Sequence, residues 1–293
     1  MKKLILGLGL VVLSLQGHAA KNVFGRKLFA PENSMRISVH SLTAAMDQAT
    51  FNAVVDHFEE IYGPIVGGSF GTKLVVRREW SSDVINAYAE QDDGNFNIEI
   101  HGGLARHPET TPDALANVLC HEMGHHIGGA PKISFERWAS NEGQSDFFAN
   151  TKCMRKYFER DNNQAIVANM AIPEIVKKDC ALSFPSNEDQ AICQRSAMSG
   201  LALAKLLHNL GGNGAVPAFD TPDLSKVSRT NDNHPEAQCR LDTYYAGALC
   251  EISHLENPAQ TNERTSFCMN DTHARGFRPA CWYKEGSSRL DNN

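Results

Sequence analysis

The sequence lacks several features that would assign it to common classes of protein. Beyond residue 20, no run approaches the ~20 apolar residues that a bilayer-spanning helix needs, so we expect a soluble mature chain with no membrane span. No patch of lysine and arginine stands out and the formal net charge is −6, which argues against a nucleic-acid partner. The absence of internal repeats and low-complexity tracts excludes a solenoid.

The cysteines lack any CxxC pair, which argues against a zinc ion held by thiolates. An even number of cysteines in an exported chain instead predicts up to four disulfides. The sequence leaves their pairing open. The eight cysteines are Cys120, Cys153, Cys180, Cys193, Cys239, Cys250, Cys268 and Cys281.

Residues 1–19 have the pattern of a secretory signal peptide. Lys2 and Lys3 form a short positive region, and an apolar run follows over residues 4–15. Gly17-His18-Ala19 then offers small residues where a signal peptidase would cut. We therefore predict a cleaved signal and a protein that is periplasmic or secreted.

The remaining chain is predicted to be an α+β domain over residues 20–252 with a cysteine-containing C-terminal extension over residues 253–293. Hydrophobic periods of three and four predict helices, alternating patterns predict strands, and Asp92-Asp93-Gly94 is predicted to form a hairpin turn. The predicted helices cover residues 41–62, 112–127, 140–157, 191–210 and 235–250, and the predicted strands cover 73–78, 84–89 and 95–101.

Residues 120–129 (CHEMGHHIGG) place three histidines and one glutamate in the second half of a predicted helix. Residues four apart lie on the same face of a helix, so His121 and His125 can present two imidazoles to one zinc ion. Glu122 lies about 100° further round and can reach a water on that zinc without binding the metal itself. The HExxH pattern therefore predicts two ligands and a general base.

The third protein ligand that a hydrolytic zinc site usually has must come from elsewhere. Pro131 occupies the position at which the HExxHxxGxxH pattern needs a histidine, and His126 is too close in rotation to act with His125. The next predicted helix offers Glu142, with Asp146 one turn later to accept the free imidazole N–H of a ligand. The alternative for these two carboxylates is a solvated helix face.

Five segments, in this order, resemble a family of gluzincin peptidases that includes the HtpX heat-shock protease, the CAAX prenyl endopeptidases and the protease BepA. The resemblance covers roughly residues 84–245. The segments are VINAYA (84–89), FNIEIHGGL (96–104), LANVLCHEMGHH (115–126), NEGQSDFFA (141–149) and NHPEAQCRLD (233–242).

The resemblance implies a zincin-like metallopeptidase core, in which a small mixed sheet with an exposed edge strand packs on the HExxH helix. It implies one Zn²⁺ per chain and hydrolysis of peptide bonds, with Glu122 as the base and Glu142 as the third ligand. It also gives His234 the role of stabilising the oxyanion of the tetrahedral intermediate, and it gives Arg240 the role of supporting this part of the site.

The predicted edge strand suggests how a polypeptide substrate binds. An extended or misfolded chain would add to the strand through backbone hydrogen bonds, which tolerate many sequences. The substrate-binding residues would be Asn97, Ile98, Glu99, Ile100 and His101. The alternative is that the C-terminal extension covers this strand.

Two other hypotheses remain open at this point. The chain could be a zinc-stabilised, chaperone-like module that binds exported proteins without cutting them, although a structural zinc has no use for a base at Glu122. It could also be a disulfide scaffold whose histidines bind no metal. Many members of the resembled family are embedded in membranes, whereas this chain is expected to have no membrane span. A prenylated protein substrate is therefore not implied here. The oligomeric state is left open.

Overall fold

The structure, a computed structural model, describes residues 25–134 and 136–287. The predicted signal peptide lies outside the described residues. The fold is mixed α+β, with a small mixed sheet and helices that surround a central helix. The strands are β1 (Lys27–Leu28), β2 (Leu74–Glu79), β3 (Ala87–Asp92) and β4 (Asn95–His101). The helices are α1 (Gln48–Phe70), α2 (Gly102–Arg106), α3 (Pro112–Ile127), α4 (Glu142–Phe148), α5 (Met154–Phe158), α6 (Asn163–Val167), α7 (Glu174–Ser183), α8 (Asn187–Asn209) and α9 (Ala237–Leu249). The short helices α2, α6 and α7 were not predicted.

The sheet has the strand order β1-β3-β4-β2. Strand β4 pairs antiparallel with β3 and parallel with β2. The predicted turn between β3 and β4 is confirmed: Asp93 and Gly94 have φ angles of +50° and +74°, as a tight hairpin turn requires.

The expectation that β4 is an exposed edge strand is wrong. Both of its sides are paired, and every residue of the range 97–101 is less than a tenth exposed. A further strand cannot add to a strand whose backbone groups are already paired, so the substrate-binding role given to Asn97, Ile98, Glu99, Ile100 and His101 is withdrawn. Within the described part of the chain, the edges of the sheet are β1 and β2.

Helix α1 begins seven residues later and ends eight residues later than the helix predicted over 41–62. The side chain of Asp47 caps it by accepting a 2.8 Å hydrogen bond from the Thr50 N–H, so the helix starts at this cap. Leu42 lies before the cap and is fully exposed, which removes it from the predicted apolar stripe. Pro64 lies within the helix without ending it.

Helix α3 begins and ends where the sequence predicts. The Thr111 side chain accepts a hydrogen bond from the Ala114 N–H, Pro112 is the first helical residue, and Gly128 follows the last turn. All residues from Ala114 onward are buried, because α3 packs against α1, α4, α8 and the sheet. The helix that carries HExxH is therefore at the centre of the fold.

The helix predicted over residues 140–157 is present as α4 and α5, joined by a π-helical turn over Ala149–Cys153. Asn141 caps its N-terminus by accepting a 2.9 Å hydrogen bond from the Gln144 N–H. Cys153 in the π-helical turn forms a disulfide with Cys120 of α3. The two helices that carry the predicted ligands are thus covalently linked.

All eight cysteines form disulfides, which is typical of proteins outside the cytoplasm. Two of the bridges attach the C-terminal residues to α9, and Trp282 packs against Gly143 of α4. No helix of the described residues is long and apolar enough to cross a membrane. The division of the chain at residue 252 stays a prediction. The four bridges are Cys120–Cys153, Cys180–Cys193, Cys239–Cys281 and Cys250–Cys268.

Candidate metal centre

Three predicted ligands meet beneath the C-terminal half of α3. His121 and His125 lie one turn apart on this helix, and Glu142 is the first residue of α4. The Nε2 atom of His121 lies 3.3 Å from Oε2 of Glu142, and the Nε2 atom of His125 lies 3.7 Å from Oε1. One ligand atom from each residue lies within 4.8 Å of the other two, and all three side chains are buried. This group could hold a metal ion.

The tautomers of both histidines follow from their hydrogen bonds. Nδ1 of His121 donates to Oδ1 of Asp146 over 2.7 Å, and Nδ1 of His125 donates to the Ser140 carbonyl over 2.8 Å. Both partners are acceptors, so in the neutral form of each imidazole the lone pair is on Nε2, which faces Glu142. Neither Nε2 has a hydrogen-bond partner among the described residues. Buried acceptors without partners are costly, and a cation between these atoms would satisfy both.

The electrostatics of the group favour positive charge between the imidazoles and the carboxylate. Burial opposes charge on His121, but Asp146 outweighs it and raises the pKa to about 9. At His125 burial dominates and lowers the pKa to about 3. Burial alone would raise the pKa of Glu142, but His234, His125 and His121 hold it below its usual range. A metal ion would take the place of a proton in this group.

Glu122 adjoins the ligand group but is not part of it. Its side chain is fully buried, and neither carboxylate oxygen has a hydrogen-bond partner within the described chain. Burial raises its pKa to about 8. A carboxylate without any partner is expensive to keep in an interior, which fits a residue whose partner is a ligand or a reacting molecule.

Arg240 acts from behind the ligands. It donates from Nε to Oδ2 of Asp146 and from Nη2 to Oδ1, both over 2.7 Å, and from Nη1 to the Phe29 carbonyl over 2.6 Å. Its attraction holds the pKa of Asp146 below its usual range despite burial, which acts in the opposite direction. Because Arg240 is only 1% exposed, it positions Asp146 and does not contact a substrate.

His234 contacts both strand β1 and the ligand group. Its Nε2 donates to the Leu28 carbonyl over 2.7 Å and lies 3.4 Å from Oε2 of Glu142. Unlike the ligands, its side chain is partly exposed, at 24%. His234 therefore lies between the candidate metal centre and solvent.

A cleft of about 1000 Å³ opens beside the centre. Its walls come from β1, from the segment 131–134 after α3 and from the loop 227–234 before α9, and Glu142 and His234 are among its lining residues. The loop is held by the C-terminal part of the chain, since the N–H groups of Val227 and Asn231 donate to the carbonyls of Ala280 and Trp282. The cleft gives a large molecule access to the ligand group.

His126 lies outside the ligand group, as predicted. Its ring stacks on Phe96 with centroids 4.5 Å apart, and its Nε2 lies 3.2 Å from the Asn97 carbonyl. His101 is also outside the group, because its Nδ1 bonds to the Ser82 hydroxyl over 2.9 Å.

A second set of potential metal ligands in the described residues consists of Asp223, Cys239 and Cys281. The two cysteines are bonded to each other in a disulfide, so no thiolate is available there. This set is not a metal site in the oxidised protein.

Sequence reasoning missed three residues that shape the centre. Ser140 holds His125 through its backbone, Leu28 holds His234 in the same way, and the ring of Phe29 meets that of His121 edge-on at 5.4 Å. A backbone carbonyl has no sequence signature, and only the fold brings residues 28–29 to the histidines.

No protein-family model, curated protein or solved structure matches this chain. The chemistry of the centre therefore has to be inferred from its own side chains.

Proposed function

We propose that the chain is an exported zinc endopeptidase of the gluzincin type with a zincin-like core. One observation carries the proposal. The two Nε2 atoms, which have no hydrogen-bond partner among the described residues, converge on the Glu142 carboxylate, and Glu122, whose carboxyl group also has no partner there, adjoins the two histidines on the same helix. A structural zinc site would usually close with a fourth protein ligand and has no use for an unpaired base beside it.

The donor set supports zinc as the cofactor, at one ion per chain. Two imidazoles and a carboxylate form the ligand set of known hydrolytic zinc sites, in which a fourth position stays open. When bound, zinc polarises the scissile carbonyl and lowers the pKa of water at the centre toward about 7.

Glu122 is proposed as the general base in its ionised form, which a bound zinc ion would favour against the effect of burial on its pKa. Its carboxylate would accept the proton of the attacking water and pass it to the nitrogen of the leaving amine. Among the described residues no hydrogen bond competes for its two oxygens, which supports this role.

His234 and Arg240 are proposed to support the reaction in different ways. His234 lines the cleft next to Glu142 and would donate a hydrogen bond to the developing oxyanion of the substrate. To do so it would exchange its present acceptor, the Leu28 carbonyl, for that oxygen. Arg240 would keep Asp146, and through it His121, in the orientation that metal binding needs.

An extended polypeptide is the substrate that the cleft suits, and we propose that it pairs with β1 instead of β4. The Phe29 N–H bonds to the Ala87 carbonyl in β3, so the backbone groups of Leu28 face away from β3 and toward the cleft. Within the described residues no strand covers this side of β1. Unfolded or misfolded exported proteins fit this mode of binding, because it reads the backbone.

The test is casein cleavage by zinc-loaded proteins that carry equal amounts of metal. Wild type is expected to cleave, and Glu122→Gln is expected to retain zinc but lose at least about 99% of the activity, since general-base catalysis contributes 10²–10⁴-fold. Glu174→Gln, a change at an exposed side chain on α7, serves as the matched control and retains full activity. Full activity of Glu122→Gln contradicts the mechanism. If neither protein cleaves any polypeptide but both bind zinc and unfolded chains, the non-catalytic binding module is correct instead.

A further inference from the structure

Lys132 is a buried cation whose ammonium group is bonded to neutral acceptors. The residue is 7% exposed, and its ammonium group donates to the Trp138 carbonyl over 3.1 Å and to the Ser140 hydroxyl over 3.4 Å. No aspartate or glutamate of the described residues forms an ion pair with it. Buried charges are normally paired, because transfer of an unpaired ammonium group out of water is costly.

The position of Lys132 ties it to the candidate centre. It lies in the segment that joins α3 to α4 and pairs across that segment with Ser140, whose carbonyl holds His125. It lines the same cleft as Glu142 and His234. Its charge therefore acts on whatever occupies the cleft next to the metal ligands.

Among the other cations that line this cleft, Arg229 is exposed to solvent, and Lys27 and Arg26 are paired with carboxylates. Lys27 forms an ion pair with Glu136, and Arg26 donates to Glu90 over 2.8 Å. The carboxylate of Asp232 also lines the cleft, but it accepts hydrogen bonds from Ser134 and Asn141 and not from Lys132. Lys132 is thus a buried cation of this cleft whose charge is not balanced by a carboxylate of the described residues.

We propose that Lys132 forms a subsite for a carboxylate of the polypeptide that binds in the cleft. An ammonium group has three donors, and two of those of Lys132 are used on neutral acceptors, which leaves one for a ligand. An aspartate or glutamate side chain and a free C-terminus offer the same chemistry. The inference rests on the proposed function in that the ligand is the peptide substrate.

The effect of burial on the pKa of Lys132 is consistent with this role. Loss of hydration lowers the pKa of its ammonium group to about 8. A bound carboxylate would supply the opposite charge that the site lacks and so favour the charged form.

The experiment measures kcat/KM on matched peptides with the zinc-loaded protein. One arm compares glutamate with glutamine at each position of amidated peptides, and the other compares free with amidated C-termini in peptides without acidic side chains. Wild type is expected to favour the carboxylate form by about tenfold or more in one arm, as charge-assisted hydrogen bonds imply. The arm that shows the preference identifies the source of the carboxylate.

Two variants locate the preference. Lys132→Met keeps the aliphatic stem and should bring the ratio close to one, whereas Arg229→Met, which removes an exposed cation from the same cleft, should keep the wild-type ratio. A purely structural lysine would change the rates on both peptides of a pair equally. The subsite is refuted if wild type shows no preference in either arm or if Lys132→Met retains it.

A binding measurement separates this inference from the proposed function. Fluorescence anisotropy of labelled peptides is recorded with Glu122→Gln and with Glu122→Gln combined with Lys132→Met. If no peptide is cleaved by wild type but the carboxylate preference in binding depends on Lys132, the subsite stands and the endopeptidase proposal fails. If wild type cleaves peptides without any carboxylate preference, the endopeptidase proposal stands and the subsite is refuted.

Discussion

Nδ1 of His121 lies 2.7 Å from Oδ1 of Asp146, and this bond links the helix of two predicted ligands to the helix of the third. Arg240 holds Asp146 through both carboxylate oxygens and reaches from α9. Residues of three helices, α3, α4 and α9, therefore fix the orientation of one imidazole. Such supporting carboxylates set the tautomer of a ligand histidine and increase its basicity.

Asp146→Asn should weaken zinc binding by about 10–100-fold, the usual cost of losing such a support. The amide removes the negative charge that faces His121 and leaves Arg240 without its counterion. Zinc affinity is measured by competition with a chromophoric chelator. A change smaller than twofold would mean that Asp146 does not support the ligand.

The matched control for this variant is Asp113→Asn. Asp113 binds Arg195 through two hydrogen bonds of 2.7 and 2.8 Å, but it lies in the first turn of α3, about 12 Å from His121 along the helix. Its loss should lower the free energy of unfolding without changing zinc affinity. Equal losses of affinity in both variants would indicate a general effect of destabilisation.

The neighbouring histidines should differ in their effect on zinc content. His125→Ala removes a proposed ligand atom, Nε2, which has no hydrogen-bond partner among the described residues, and should abolish stoichiometric zinc binding. His126→Ala removes a ring stacked on Phe96, so it should reduce stability while zinc remains near one per chain. Metal analysis after purification measures the zinc content of both variants. Loss of zinc from the His126 variant alone would reverse the ligand assignment.

The Cys120–Cys153 disulfide should contribute both to stability and to metal binding. Its cysteines are 33 residues apart, so the Cys120→Ala, Cys153→Ala double variant should lose about 2–4 kcal/mol of unfolding free energy. Because Cys120 adjoins His121 and the bridge ties α3 to the helix of Glu142, zinc affinity should fall as well. Denaturant unfolding and chelator competition measure the two effects.

The disulfide between Cys180 and Cys193 provides the control. It joins α7 to α8 across 13 residues and takes no part in the candidate centre. Its removal should reduce stability and leave zinc affinity unchanged. If removal of either bridge has the same effect on zinc, the special role of the first bridge is refuted.

Gly143 should not tolerate a larger residue. A Cβ atom at this position would overlap the ring of Trp282, so Gly143→Ala should cost about 1–3 kcal/mol and displace the adjacent Glu142. Gly68→Ala in α1 meets no atom within 4 Å and should stabilise the helix by up to ~1 kcal/mol. Thermal unfolding of the two variants measures the loss of stability expected for the first and the gain expected for the second. A Gly143→Ala protein as stable as wild type would contradict the packing of the C-terminal residues on α4.

Local signals in the sequence were sufficient to predict the ligand-bearing helix. The Thr111 cap, Pro112 and the four-residue spacing of the histidines act within a few turns of helix, and each is confirmed. The third residue of the ligand group, Glu142, was found as a carboxylate on the next predicted helix, one turn before Asp146, whereas the Asn141 cap that starts this helix was not recognised.

Long-range relationships were not predictable in this way. The alternation of residues 95–101 identifies a strand but does not show which strands flank it, so β4 was wrongly placed at an edge. The pairing of β1 with β3 and the disulfide pattern depend on contacts between distant parts of the chain. For the same reason Leu28 and Ser140, which act through backbone carbonyls, could not be identified as parts of the centre.

The metal assignment is tested most directly by X-ray absorption spectroscopy of the protein purified with zinc. We expect one zinc ion with two imidazole nitrogens at about 2.0–2.1 Å and oxygen ligands at about 2.0–2.2 Å, without sulfur. The Glu122→Gln protein should give the same spectrum, because Glu122 is outside the ligand group. A protein that retains no zinc, or a spectrum with sulfur ligands or fewer than two imidazoles, would contradict the assignment of His121, His125 and Glu142.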